Sequence, residues 1–270
     1  MKYPLIILVF VFLFTACEDQ VPIAYGPPSN LGDQKLVIEE FTGVQCVNCP
    51  QGSDEISSYV ASYPGKVIPI SVHSGFFSTP VPGKSKLDFR TPDGDFIYNY
   101  IGPPPFYPSA VFNRKIFSNS DLVYNQESWA GNVKKVLESP AKYGLSLETT
   151  YDASSREVII TINGIAKENI DDKILAHVMI TESNIVEWQK YPNAEGFITD
   201  YVHKHVLRGI VSNFTGDQVA ENPKTKQQFS KKYTYKLKDG WVAENCEVVG
   251  FITYASKKEI IQADSKEVIE

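Results

Sequence analysis

Sulfur, histidine and positive charge are all scarce in this chain. Its 270 residues include four cysteines, four histidines and two methionines. So few cysteines in so long a chain exclude a small scaffold stapled by disulfides. A closed zinc site wants four ligands, and one CxxC without a second supplies only half of them. Acidic side chains outnumber basic ones by 32 to 26, which is the wrong sign for a surface that tracks a phosphate backbone, so no nucleic-acid partner is expected. The basic stretch Lys224–Lys232 sits among glutamines and reads as a solvated loop. After residue 16 no run is apolar over the about 20 residues that a spanning helix needs. Internal repeats and low-complexity segments are also missing, and no motif calls for a cofactor.

The one apolar run lies at the very start. Lys2 is followed by Leu5–Phe14 and then by Thr15-Ala16-Cys17, the pattern of a secretion signal. Ordinary cleavage after Ala16 would want a small residue where Phe14 stands, so processing as a lipoprotein fits better. Residues 1–16 are then the signal peptide and Cys17 is the lipidated N-terminus, a lipid anchor to the membrane. Cleavage removes Lys2 and no acid, which leaves the mature chain more negative than the −6 of the full one. Residues 17–34 carry Pro22, Gly26, Pro27 and Pro28 without an apolar period and read as a flexible tether.

Beyond the tether, aromatic and aliphatic residues suffice for two cores, and the length suggests two domains. Residues 35–141 alternate element types. Lys35–Thr42 reads as a strand and Pro50–Tyr63 as a helix with Ile56, Tyr59, Val60 and Tyr63 on one face; Val67–Val72 is a second strand. Pro64-Gly65 ends the helix. A second helix starts near Pro92 and stops at Gly102-Pro103-Pro104-Pro105, and Trp129, Val133, Val136 and Leu137 mark a third. Ala110–Asn113 and Lys115–Phe117 are expected as short strands of an antiparallel hairpin, which makes this half an α/β mixed sheet covered by helices. From residue 142 onward helical periods vanish and alternating runs recur: Leu145, Leu147, Thr149 and Tyr151 share one face, as do Val158, Ile160 and Ile162. Ile174–Thr181, His203–Val211, Phe229–Leu237, Glu247–Tyr254 and Ile260–Val268 follow, about seven strands in all, the number of a small sandwich. Residues 142–270 are therefore expected as an all-β, sandwich-like domain. Ser183–Tyr201, with Trp188 and Tyr191, is expected as a long loop.

Between the first strand and the first helix stands Cys46-Val47-Asn48-Cys49-Pro50. Two cysteines so spaced can close a small disulfide, and at a helix N-terminus the unpaired N–H groups favour a thiolate. Some sixty residues later, Phe106-Tyr107-Pro108-Ser109 leads into another strand. In this order of elements the chain resembles the thioredoxin superfamily. The resemblance implies that Cys46 is the attacking thiol and Cys49 the resolving one, and that Pro108 is a cis proline beside them, at a backbone edge left open for a substrate peptide. It also implies a buried acid six residues before the first cysteine, where Glu40 stands, able to take the resolving thiol's proton. Strand alternation puts Glu39 and Glu40 on opposite faces, one toward the site and the other toward water. Gln45 replaces the usual tryptophan and Val47-Asn48 the usual Gly-Pro, which leaves the redox direction open. The implied partners are thiols and disulfides of exported proteins or peptides. Such chemistry requires Cys46 to be reachable by a partner's sulfur and Pro108 to lie next to it.

A second resemblance covers the whole mature chain. Glu39-Glu40-Phe41-Thr42-Gly43 running into the CxxC, together with Tyr201-Val202-His203-Lys204-His205-Val206-Leu207-Arg208, looks like the twenty-eight-kilodalton outer-membrane-protein family of bacterial lipoproteins. It implies a thioredoxin-like domain joined to a β-rich one, in the cell envelope at the outer membrane, with exposure at the cell surface allowed. Two other functions compete with exchange. One is copper(I) binding by Cys46, Cys49 and His73. The other is a surface binding or adhesion module in which the CxxC is a fixed bridge and Phe76-Phe77 or Trp188 and Tyr191 carry recognition. His203 and His205 share a strand face that could chelate a metal but reads as an exposed polar face, His177 as structural and Cys246 as a small buried residue.

Overall fold

The computed structural model describes residues 32–117 and 122–269; the signal segment, Cys17 and most of the tether lie outside them. The first half follows the expected alternation: β1 (Leu36–Thr42), α1 (Cys49–Ser62), β2 (Val67–His73), α2 (Pro92–Ile101), β3 (Ser109–Phe112) and α3 (Trp129–Leu137). β1 pairs in parallel with β2 and antiparallel with β3. All seven residues of β1 and of β2 are buried, which is why both read as nearly continuous apolar runs rather than alternating ones. α2 starts where Thr91 accepts a hydrogen bond from the backbone N–H of Gly94 at 2.9 Å, with Pro92 in its first turn, an N-cap followed by a proline that has no N–H to lose.

The rest is strand after strand: β4 (Tyr143–Asp152), β5 (Glu157–Ala166), β6 (Lys173–Glu182), β7 (Ile185–Lys190), β8 (Phe197–His203), β9 (Val206–Ile210), β10 (Asp217–Glu221), β11 (Gln228–Lys236), β12 (Cys246–Tyr254) and β13 (Ile260–Glu267). β11, β5 and β4 form one antiparallel sheet. Its inner face, with Leu147, Val158, Ile160 and Ile162, packs on Ala176, Val178 and Ile180 of β6 and on Val248 and Ile252 of β12. Two faces of alternating apolar residues thus enclose a core between sheets.

β6, β12 and β13 also belong to the large sheet, whose order is β13-β12-β6-β9-β2-β1-β3, with β10 on β6. The strands of both halves therefore stand in one sheet. The link is short, a parallel contact of β2 with β9 at Ser71 and Val206, but a shared cluster backs it. Val37, Phe41, Ile70 and Val111 from the first half pack with Met179, Leu207, Val249 and Phe251 from the second.

Two expectations fail locally. Lys115–Phe117 is not a strand, because Asn113 and Arg114 both take left-handed backbone angles, φ of 48° and 47°, and turn the chain so that their side chains reach back to β1. Asn113 accepts from the N–H of Val37 at 2.7 Å, and Arg114 meets Glu39. Ser183–Tyr201 is not a loop but mostly the hairpin β7–β8. Its pattern is hidden because Glu187 and Gln189 are polar yet buried.

Candidate functional site

β1 delivers Glu39 and Glu40 to opposite sides of the sheet, and neither reaches water. Glu39 forms a two-pronged ion pair with Arg114, at 2.8 and 2.6 Å, with both side chains buried. The guanidinium also lies over the rings of Tyr100 and Phe251, at 5.6 and 5.1 Å. The expectation that one of the two acids faces solvent is thus corrected: burial of Glu39 is made tolerable by a planar, permanently charged partner. Glu40 points the other way, toward α1. It accepts from Ser53 at 3.0 Å and from Ser71 at 3.3 Å, and burial pushes its carboxyl up to about 7, against the pull of those two hydroxyls.

After β1 the chain turns through Gly43–Asn48 into α1. Gly43 leaves no room for a side chain, since a Cβ there would come within 2.4 Å of the Phe77 carbonyl oxygen. Cys46 and Cys49 are joined in a disulfide with a Cα–Cα distance of 5.4 Å. Cys49 is the first residue of α1 and Pro50 follows in its first turn, so the bridge sits at the helix end whose N–H groups are unpaired. Gly52, one turn in, is the seat of Pro108: a Cβ on Gly52 would meet the Pro108 ring carbons at 2.9 Å. The Tyr107–Pro108 bond is cis. The Tyr107 hydroxyl donates to the Ser74 carbonyl at 3.0 Å, and Phe77 packs against its ring at 5.2 Å. Cys46, Cys49, Pro108 and Glu40 are therefore gathered around the first two turns of one helix.

Access to that site is not open. The β7–β8 hairpin lies over the Cys46 loop: the Gln189 side-chain amide donates to the carbonyl oxygens of Cys46 and Gly43, at 2.9 and 3.3 Å, and the Lys190 N–H donates to Val44 at 2.8 Å. Trp188 packs with Val44, Phe89 and Val206 beneath. In consequence Cys46 is only 3% exposed and Cys49 1%. The requirement that a partner's sulfur reach Cys46 is not met in this arrangement, a correction to the sequence-based expectation; Pro108 lies against Gly52 of the helix that Cys49 opens.

Behind α1 a polar cleft of about 220 Å³ is lined by Glu40, Ser53, Ser71, His73, Tyr201 and His203, among others. Ser53 follows Cys49 by one helical turn, and that spacing could have placed it in the sequence. Gln189 and Tyr201 come from a hairpin that left no such signal. His203 closes β8, whereas His205 sits beyond it with φ of 52°, so the two do not share a strand face, and His203 is buried rather than exposed. Burial pushes His203 down to about 3 and His73 to about 4. The copper arrangement of Cys46, Cys49 and His73 is not built: both sulfurs are used by the bridge, and among the described residues no three His, Cys, Asp or Glu are grouped to hold a metal ion. His177 is structural, hydrogen-bonded to Thr253 at 3.0 Å and stacked on Phe251. Cys246 is buried and free, its thiol pushed up to about 12 by burial. Of the aromatics expected to be available for recognition, Trp188 is buried, while Phe76 is 83% exposed.

Among solved structures, HBP35 of Porphyromonas gingivalis is similar over 87% of this chain and 76% of its own, with 21% identity and a TM-score of 0.67. Protein AGR_C_4864 from Agrobacterium tumefaciens is similar over 88% of this chain and 96% of its own, with 13% identity and a TM-score of 0.52. At such identities the likeness is one of fold, a mixed, largely β architecture with several sheets and few helices. No curated protein matches. The family described as outer membrane protein Omp28 matches residues 97–270, a stretch that begins within α2, after the disulfide. Because that match takes in well over half of the chain, the protein belongs to the Omp28 outer-membrane-protein family and, with it, to the outer membrane of the cell envelope.

Proposed function

We propose that this protein is an outer-membrane lipoprotein, lipidated at Cys17, whose residues 35–141 form a thioredoxin-like unit that exchanges thiols and disulfides with exported proteins, and that β7–β8 caps the exchange site until it lifts. The observation that carries the reading is the coincidence, at the opening of α1, of the Cys46–Cys49 disulfide, Pro108 seated on Gly52 and the buried Glu40 behind the helix. Residues 142–270 are a separate contribution, a β-rich partner that supplies the cap.

With the cap lifted, a partner thiolate attacks Sγ of Cys46. The Cys46–Cys49 bond breaks as a mixed disulfide forms, and the electron pair leaves on the sulfur of Cys49, which then takes up a proton. Glu40 lies beneath the first turns of the helix and holds a proton near neutral pH, so it is the group to supply one and later take it back. A second thiolate of the partner attacks its own sulfur in the mixed disulfide and releases Cys46. The partner is oxidised by two electrons and the pair is left as a dithiol; run backward, the same steps reduce a partner's disulfide.

The burial of both cysteines favours a second reading, in which the bridge is fixed and the protein binds rather than reacts. Titrating the pair against a glutathione redox buffer, and trapping mixed disulfides in cells with Cys49→Ser, separates the two. Exchange gives trapped partners and a midpoint above about −300 mV. A potential well below about −300 mV with nothing trapped identifies a structural bridge. Attachment is checked by the loss of fatty-acid labelling in Cys17→Ser.

A further inference from the structure

Two buried histidine nitrogens near the cleft have no partner. Nδ1 of His73, at the end of β2, and Nε2 of His203, at the end of β8, are both closed to solvent and unbonded, in residues only 3% and 5% exposed. The two rings are neighbours, with centres 5.8 Å apart and planes at 64°. Phe89 packs edge-on against both, at 4.9 and 4.8 Å. An unmet buried nitrogen is costly, and two such atoms in adjacent rings ask for an occupant, a water or an ion, that satisfies them together. Burial keeps both rings neutral, and a neutral imidazole has one lone pair to offer a metal.

We propose that His73 and His203 form a two-coordinate site for copper(I), reached from the polar cleft behind α1. In line, two metal–nitrogen bonds of about 2 Å each, with about 1 Å more from each nitrogen to its ring centre, put the centres about 6 Å apart, close to the 5.8 Å between these two rings. The lack of any three-residue cluster among the described residues argues against tetrahedral zinc and against the oxygen-rich sites of calcium and magnesium. Copper(I), a filled-shell monovalent ion, accepts two ligands in line, and imidazole is among the ligands that suit copper. Both residues line the cleft together with Glu40 and Ser71, so polar space adjoins the pair. The site uses neither Cys46 nor Cys49 and stands whether or not the disulfide exchanges.

The test uses the mature, oxidised protein with ascorbate as reductant, which leaves the disulfide intact and keeps copper monovalent. Copper(I) is titrated in competition with bathocuproine disulfonate. One equivalent is expected to be retained, with affinity falling by about tenfold or more in His73→Leu and in His203→Leu and unchanged in His205→Ala. X-ray absorption on the loaded, unaltered protein is expected to show two nitrogen neighbours and no sulfur, and this measurement decides the matter if a leucine variant misfolds. Failure to retain copper, retention that survives loss of both histidines, or sulfur bound to the metal each overturns the proposal and leaves a bridging water as the occupant of the gap.

Discussion

Replacing Glu40 by glutamine keeps the shape of the side chain and removes its charge, and the consequence for stability can be worked out with its sign. The folded carboxyl titrates at about 7, raised mainly by burial, against an ordinary value of 4.5. Between those two values the folded state holds a proton that the unfolded state has lost, so stability falls as pH rises through the window and levels off on either side. The shift corresponds to about 3 kcal/mol at 1.36 kcal/mol per unit, and no discount for solvent screening applies because the group is buried. Relative to the wild type, Glu40→Gln should therefore gain about 3 kcal/mol between about pH 4 and about pH 8. Urea titrations followed by tryptophan fluorescence across that range measure it, and taking the difference between the two proteins cancels every group not coupled to Glu40. Asp54 is coupled and raises Glu40 further, so it can broaden the window without reversing it. Parallel stability curves for the two proteins would refute both the burial of a neutral acid behind α1 and its role as a proton store near neutrality.

Other perturbations test other parts of the same structure. Arg114→Ala strands Glu39 in the core and should destabilise by about 3–5 kcal/mol, whereas replacing both residues by methionine should recover most of that loss; denaturant midpoints for these two variants measure the difference. Gly43→Ala forces a Cβ against the Phe77 carbonyl oxygen and should cost on the order of 1–3 kcal/mol, while Gly131→Ala, where a Cβ meets nothing, should be neutral or slightly stabilising in the same titration. Gln189→Ala removes the side-chain hydrogen bonds that hold the cap on Cys46 and Gly43. At about 1 kcal/mol for each of the two bonds, reduction of the disulfide by dithiothreitol should speed up by about thirtyfold; an unchanged rate would mean that cap opening does not limit access.

The parts of this fold that could be read in the sequence are those set by neighbours along the chain. α2 announces itself through Pro92 and through the glycine and prolines that end it, because φ restrictions are local. The sandwich strands show in the alternation of Val158, Ile160 and Ile162, because one face of that sheet meets a core. That Cys46 and Cys49 stand between a strand and a helix is legible for the same reason, whereas Glu40 is singled out only through the resemblance. What stayed hidden depends on residues far apart in the chain. The partner of Glu39 is 75 positions away, on the turn between two expected short strands of which only the first forms. Gln189 seals a loop 143 residues before it, and its own hairpin lacked apolar alternation since Glu187 and Gln189 are buried by hydrogen bonding rather than by hydrophobicity. Glu187 accepts from the N–H groups of Lys86 and Leu87, at 2.9 and 2.6 Å, contacts that no periodicity encodes.

That the cover of Cys46 comes from the second half bears on how easily it opens. β7 and β8 pair only with each other and stand apart from the large sheet, and an isolated two-stranded hairpin has little stability of its own. Its hold on the site consists of the Gln189 and Lys190 hydrogen bonds, the Glu187 contacts and the burial of Trp188 against Val44, Phe89 and Val206. Those contacts can be lost without breaking β1, β2 or β9, because the strands beneath keep their own pairings and their shared core. Local opening of such a peripheral unit costs less than global unfolding. Hydrogen exchange should accordingly show the amides of β7 and β8 exchanging through a smaller free energy than those of β6 and β12. Equal protection across all four strands would tie the hairpin to the global transition, leave no route by which Cys46 becomes accessible, and make the fixed bridge the correct reading of the disulfide.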